Sequence, residues 1–257
     1  MGLTVEAPYR IDGRDDAPPL VLSNSLGSTS EMWDPQIPAL AERFRVIRYE
    51  IRGHDAAPTP DGPYAIADLG SDVLALLDRL GLERVHFAGL SLGGMTGMWL
   101  AANAPERVDR LILLCTSAML RDDHDWPLRA RTVREQGTGA VADAVVDRWF
   151  TPAYRDAHPD VVARMRAMIA DTPPEGYAGC CDAIHGMDLE EDLRDVHAPT
   201  LVIGGEDDPA TPPRHQRRIA ERIAGARLEF VPAAHLANYE RPDEVTRLML
   251  SHLEDAE

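Results

Sequence analysis

The 257-residue chain carries 43 acidic residues against 26 basic ones, a formal charge of −17, and every basic residue is an arginine. No basic cluster offsets that charge, so nucleic acid and anionic membrane surfaces are excluded as partners, and the missing lysine excludes an internal Schiff base, pyridoxal-phosphate attachment and a phosphate-loop lysine. No apolar run approaches the roughly 20 residues of a membrane span, MGLTVEAPYR lacks a signal-peptide pattern, and Cys115, Cys180 and Cys181 form no disulfide framework, which makes the reducing cytoplasm the expected compartment.

The length suits one α/β domain with an insertion. In chain order, LVLSNS (Leu20–Ser25) reads as a buried strand, and Glu31–Phe44 as a helical stretch interrupted early by Pro35 and Pro38. RVIRYEI (Arg45–Ile51) is a strand, followed by a turn-rich run at Gly53–Pro63. The apolar residues of Ile66–Gly81 recur at three and four, which predicts a helix. RVHFAGL (Arg84–Leu90) is a strand, LGGMTGMWLAANA (Leu92–Ala104) a helix and VDRLILLC (Val108–Cys115) a strand. Strand and helix then alternate again from Pro199, through strand Pro199–Gly205, helix Pro212–Gly225, strand Arg227–Ala234 and helix Arg241–Glu254. Such alternation predicts a mostly parallel sheet covered by helices on both faces. Between residues 121 and 193 the strand signal vanishes and helical patterns take over, VADAVVDRWF and PDVVARMRAMIA among them, broken by TPPEG. This interval is read as an inserted helical lid on a core made of residues 1–120 and 194–257.

The run Gly89-Leu90-Ser91-Leu92-Gly93 sits where a strand gives way to a helix. A G-x-S-x-G in that context is a nucleophile elbow: the turn pushes the serine hydroxyl clear of the sheet, and small flanking residues let neighbouring segments approach. A chance match in a chain with 19 glycines is the bland alternative, and the strand–turn–helix placement weighs against it. The turn also aims the backbone N–H of Leu92 at the place where an oxyanion would develop.

A serine hydroxyl is a weak nucleophile near neutral pH and needs a histidine base with an acid to orient it. Of nine histidines, His215 and His252 fall in predicted helices, His197 precedes a strand, His124, His158 and His185 lie in the lid, and His54 and His86 precede Ser91. His235 alone follows a late strand in a loop, VPAAHLANYERP. For the acid, Glu206, Asp207 and Asp208 lie just beyond the strand LVIGG; Asp208, before Pro209, is preferred over Asp207, with plain turn chemistry as the alternative.

The order Ser91, Asp208, His235 resembles the α/β-hydrolase family, and SNSLGS, FAGLSLGGMTGMWLAANAPERVDRLILLCTSA, RWFTP and GYAGCCDAI are similar to the 3-oxoadipate enol-lactonases of the β-ketoadipate pathway. The resemblance spans essentially the whole chain and implies the α/β-hydrolase fold. It implies a serine acyl-enzyme, a small anionic enol lactone bearing an acetate arm as substrate, and no metal or organic cofactor. It also assigns the second oxyanion donor to the backbone N–H of Leu26. Asn24 is read either as a turn cap or as a direct participant. Where relatives commonly have a glycine after R-G-H, this chain has Asp55, at a turn that asks for positive φ.

An anionic substrate in an acidic protein needs a local cation, for which Arg129, Arg131 and Arg134 in the lid are candidates; Arg129 is favoured because Trp126 nearby would wall the pocket. Trp149 and Phe150 are read as lid-core packing, and Cys180 and Cys181 as small apolar groups. Two alternatives share the same residues: a carboxylesterase with perhydrolase side activity acting on small neutral esters, and a ligand-binding protein that keeps the fold without turnover.

Overall fold

The computed structural model describes residues 4–121 and 124–254. Its centre is a seven-stranded sheet of β1 (Tyr9–Asp12), β2 (Pro19–Ser23), β3 (Arg45–Tyr49), β4 (Val85–Leu90), β5 (Val108–Leu114), β6 (Thr200–Gly205) and β7 (Arg227–Val231), in the spatial order β1-β3-β2-β4-β5-β6-β7. All neighbours run parallel except β1, which pairs antiparallel with β3. Strands β4 and β6 are buried at every position, as expected where helices cover both faces and the strands read as unbroken apolar runs.

Strand β1 was not among the expected elements. Its sequence, Tyr-Arg-Ile-Asp, is a half-exposed edge strand whose charged residues leave no apolar run to recognise. The expected helix over Glu31–Phe44 is instead a 3-10 turn at Ser30–Trp33 and the single turn α1 (Ile37–Leu40), because Pro35 and Pro38 prevent one continuous ladder. Helices α2 (Ile66–Arg79) and α3 (Leu92–Asn103) pack against each other over the sheet. Between β5 and β6 lie five helices: α4 (Trp126–Gln136), α5 (Gly139–Trp149), α6 (Pro152–Ala157), α7 (Pro159–Ala170) and α8 (Pro174–Gly186). After β6 come α9 (Pro213–Arg222), the short α10 (Ala237–Glu240) and α11 (Pro242–Glu254). Among the described residues no helix is long and apolar enough to cross a membrane.

The loop from β3 toward α2 is fixed by a buried ion pair: Arg52 Nε lies 2.6 Å from Asp72 Oδ2, and the other oxygen of Asp72 accepts the N–H of Val5 at 2.8 Å. Asp55 in this loop has φ +45°, the left-handed conformation expected from the missing glycine.

The sheet order reverses direction between β2 and β4, and at such a switch point the loops leaving the carboxyl ends diverge to form a crevice. Ser91, the first residue past β4, has φ 56° and ψ −114°. The elbow closes only because its flanks lack side chains: a Cβ on Gly89 would stand 2.2 Å from the Gly93 carbonyl oxygen, and one on Gly93 2.3 Å from that of Ser23. Gly93→Ala is therefore expected to cost at least about 1–3 kcal/mol in urea unfolding, since rigid backbone rather than a movable side chain blocks the methyl. Backbone strain of the kind held at Ser91 costs of order 1–3 kcal/mol, against about 0.5–1 kcal/mol of extra entropy loss for a glycine. Ser91→Gly is accordingly expected to unfold at higher urea than Ser91→Ala, and equal midpoints would show that the elbow stores no strain.

Candidate active site

Ser91 is held at its backbone from the end of β5 and from the helix that follows. Its N–H donates to the Leu114 carbonyl at 2.9 Å, while its own carbonyl accepts the Met95 N–H at 3.0 Å and the Thr116 hydroxyl at 2.7 Å. The side chain emerges at the carboxyl edge of the sheet, 8 % exposed.

Asp208 and His235 follow β6 and β7, and the structure brings them together: the Nδ1–H of His235 donates to Asp208 Oδ2 at 2.9 Å. The same carboxylate accepts the Thr211 hydroxyl at 2.7 Å and the N–H groups of Ala210 and Thr211 at 2.8 and 3.0 Å. Burial alone would push the Asp208 carboxyl up, but the His235 ring and these donors outweigh it and leave the group below the usual carboxylate range. Asp208 is thus an ionised acceptor that fixes the imidazole with its proton on Nδ1 and its lone pair on Nε2. Glu206 and Asp207 have no such partner; both are exposed, and their N–H groups merely bind the β7 end of the sheet. His235 and Ser91 line one cavity. A hydroxyl, an imidazole and an orienting carboxylate in this arrangement are equipped for acyl transfer.

The loop after β2 supplies the other wall. Asn24 Nδ2 donates to the Tyr49 carbonyl at 2.9 Å, and the Asn24 carbonyl accepts the Gly93 N–H at 2.9 Å, so this side chain ties loops together rather than facing the cavity. Glu50 accepts the Ser30 N–H at 3.1 Å, and burial raises its carboxyl above the ordinary value. The N–H groups of Leu26 and Leu92 have no acceptor among the described residues. Leu92 directly follows Ser91 and Leu26 lines the cavity with it, and uncommitted N–H donors are what a developing oxyanion requires.

The cavity lies beneath α4, α5 and α8, each of which contributes side chains to its wall. Trp126 forms part of its wall, with its indole N–H donated to the Leu120 carbonyl at 3.0 Å, and the Arg129 guanidinium lies over that ring at 4.6 Å from the centroid. Arg134 does not belong to the site. It points outward and pairs with Glu175 at 2.9 Å and Asp182 at 2.8 Å, two acids some 40 residues away whose proximity no local pattern announces. Arg131 is exposed and also lies off the cavity wall.

Sequence reasoning missed Arg148, which lines the cavity on the α5 side; burial, then the neighbouring Arg129, hold its guanidinium below the ordinary arginine value. Among the described residues no carboxylate forms an ion pair with Arg129 or Arg148. Trp149 lines the cavity too, whereas Phe150 stacks on Tyr154 at 4.9 Å. Within the repeating VADAVVDRW pattern an arginine beside apolar residues looks like an ordinary edge of the helix, so only the tertiary placement of α5 reveals it. His124 also reaches the cavity, and its Nε2 meets the Ala210 carbonyl at 3.1 Å. The loop carrying His235 is latched to the insertion: Glu240 accepts the N–H groups of Ala234 and Thr151 at 3.1 and 3.2 Å, and the Leu236 N–H donates to the Trp149 carbonyl at 2.9 Å. Cys115, Cys180 and Cys181 are free and buried. Among the described residues no cluster of three or more His, Cys, Asp or Glu side chains is arranged to hold a metal ion.

Comparison with known proteins agrees with this architecture. The chain is 41% identical over 234 residues to 3-oxoadipate enol-lactonase 2 of Acinetobacter baylyi, covering 91% of this chain and 88% of that protein. The crystal structure of the enol-lactonase from Burkholderia xenovorans LB400 superposes with a TM-score of 0.96 at 43% identity, covering 98% of this chain and 97% of that one. A thermophilic esterase from Thermogutta terrifontis, solved with malate bound, shares the fold with a TM-score of 0.91 at 28% identity, covering 97% of this chain and 93% of that one. The family model for the alpha/beta hydrolase fold matches residues 18–242, and the chain belongs to that family.

Proposed function

We propose that the protein hydrolyses 3-oxoadipate enol-lactone, or a small enol lactone of the same anionic kind, to the open-chain keto acid through an acyl-enzyme on Ser91. The observation that carries this reading is the pair of guanidiniums, Arg129 and Arg148, facing the same cavity as Ser91 without an ion-paired carboxylate among the described residues. In a protein with a formal charge of −17, two such cations suit a carboxylate-bearing ligand better than a neutral ester. The similarity to enol-lactonases points the same way.

In this reading His235 Nε2 takes the proton of the Ser91 hydroxyl as Oγ attacks the lactone carbonyl. The oxyanion receives the N–H groups of Leu26 and Leu92, where one well-placed donor contributes about 10²–10³ in kcat. The ring C–O bond then breaks and the enolate oxygen departs, a better leaving group than an alkoxide; the released enolate takes up the imidazolium proton and ends as the ketone, which returns His235 to its neutral form. Water, deprotonated by His235, attacks the ester carbonyl, expels Ser91 Oγ and releases the product as its carboxylate. The carboxylate arm of the substrate is held by Arg129 and Arg148, with Trp126 as the wall behind. We read residues 121–193 as a lid that closes this cavity, and three reduced, buried thiols suit work in the cytoplasm.

The test compares kcat/KM on 3-oxoadipate enol-lactone and on p-nitrophenyl acetate. The lactone is expected to be the better substrate; a higher value on the neutral ester overturns the substrate assignment and favours a small-ester esterase. Ser91→Ala is expected to abolish turnover of both. Asp208→Asn should leave the fold intact and lower kcat by roughly 10³–10⁴, through loss of the productive tautomer. Arg148→Gln removes a charge-assisted contact of about 1.5–3 kcal/mol, so kcat/KM for the lactone should fall roughly 10- to 100-fold. The same variant should leave p-nitrophenyl acetate hydrolysis within about twofold, as Arg148 has no role toward a neutral ester in this reading.

A further inference from the structure

We propose that His54 is a positioning residue for the reaction: its neutral imidazole accepts the Gly27 N–H and so holds the adjacent Leu26 N–H where the oxyanion forms. The inference rests on the reading of Leu26 as an oxyanion donor and adds to it the group that keeps that donor in place.

The loop from Ser25 to Thr29 has a telling hydrogen-bond account. The Ser25 N–H donates to the Met32 sulfur at 3.1 Å, the Gly27 N–H to His54 Nε2 at 2.9 Å, the Ser28 N–H to the Ser25 carbonyl at 3.1 Å, and the Thr29 N–H to the Met168 sulfur at 3.3 Å. Leu26 alone in this loop keeps its N–H without an acceptor among the described residues. A buried loop this short leaves one donor free only if its neighbours are committed, and two of those commitments are to weak sulfur acceptors. Of the two residues that flank Leu26, Ser25 donates to sulfur, and Gly27 has the strong acceptor, the His54 ring.

The ring is itself immobile. It is fully buried, its Nδ1–H donates to the Arg52 carbonyl at 3.2 Å, and that contact fixes the tautomer in which Nε2 carries the lone pair. The backbone beneath it is clamped as well: the His54 N–H donates to the Ile51 carbonyl and the His54 carbonyl accepts the Ala57 N–H, each at 2.9 Å, while Arg52 is bound to Asp72. Burial pushes the imidazolium of His54 down to about 4, so the acceptor persists across the range in which esters are assayed. The residue does not itself line the cavity.

Gly27 has φ +77°, and glycine rotates away from that conformation with little penalty. If the acceptor is removed, the Gly27 N–H is left buried without a partner. Rotation about the bonds joining Leu26 and Gly27 relieves this and carries the Leu26 amide off its aim. A ground-state contact is not lost in that event, so the effect belongs in kcat rather than KM.

The test uses His54→Leu, which removes the acceptor, and His54→Gln, whose Oε1 reaches about as far as Nε2. Three readouts are kcat and KM on whichever ester the wild type turns over, the inhibition constant of ethylboronic acid, whose tetrahedral adduct on serine places an oxygen anion in the same hole, and amide hydrogen exchange across residues 25–29. We expect His54→Leu to lose roughly 10- to 100-fold in kcat, part of the 10²–10³ of a whole donor, with KM within threefold. Boronate affinity should fall in step, exchange at Leu26 and Gly27 should quicken at least tenfold, and His54→Gln should recover most of all three. A folded His54→Leu with kcat within threefold of wild type, or a His54→Gln as impaired as His54→Leu, overturns the proposal. If His54→Leu does not fold, His54→Asn takes its place, its amide one methylene short of Gly27. The exchange readout needs no turnover: unchanged exchange overturns the positioning role alone, whereas a wild type inactive on both esters overturns the functional reading alone.

Discussion

The architecture turns on one crowded crossing. At the end of β4 the chain must reverse into α3 within a single residue, and it does so with Ser91 at φ 56°. The crossing is feasible only where β2, β4 and the first turn of α3 approach more closely than any side chain allows, which the Gly89 and Gly93 contacts make explicit. In return the serine side chain is lifted off the sheet, and beside it the Leu92 N–H at the start of α3 is left without an acceptor among the described residues. Everything else in the site is placed relative to that point: the acid and the histidine on strands to one side, and the donor loop on β2 to the other. The sheet order therefore acts as a jig: β2 and β4 part at the switch point, and the loops leaving β6 and β7 return to the same edge of the sheet.

Electrostatics divides the molecule into two regimes. The outer surface is strongly acidic, and most of its arginines are spent on exposed pairs such as Arg134 with Glu175 and Asp182, each worth little in water. Inside the cavity the account is reversed, with Arg129 and Arg148 lacking carboxylate partners among the described residues. Two like charges brought together under partial burial are unfavourable in the empty protein, as the lowered Arg148 value reflects. Ligand-binding surfaces often carry such local penalties, because the groups that relieve them arrive with the ligand.

How far the site was legible in the sequence depends on the range of the interactions involved. The strand-end positions of Ser91, Asp208 and His235 could be read because each follows an apolar run whose length and flanks identify it as a strand. Leu26 enters only through the family resemblance, since nothing in its own side chain or neighbours marks a backbone N–H as free. Arg134 was misjudged since its acidic neighbours Glu175 and Asp182 lie far along the chain, on a helix whose orientation the periodicity does not fix. Arg148 was overlooked for the converse reason: the face of α5 that meets the cavity is decided by packing against α4 and α7, not by α5 itself. The edge strand β1 escaped notice because four half-exposed residues carry no alternation strong enough to separate them from a loop. His54 lies upstream of the serine, where sequence order gives it no role, and its 2.9 Å contact with Gly27 exists only in the folded chain.

The latch through Glu240 makes the base and part of the cavity wall a single mechanical body. One carboxylate grips Ala234, the residue before His235, and Thr151, just past Trp149, so the imidazole and the indole cannot shift independently. Cavity shape and the placement of the imidazole are then not separately adjustable traits. A change at the α5–α6 junction that widens the cavity for a bulkier ligand also loosens the loop that carries His235, whereas on the α4 side Trp126 and Arg129 hang on no such tie.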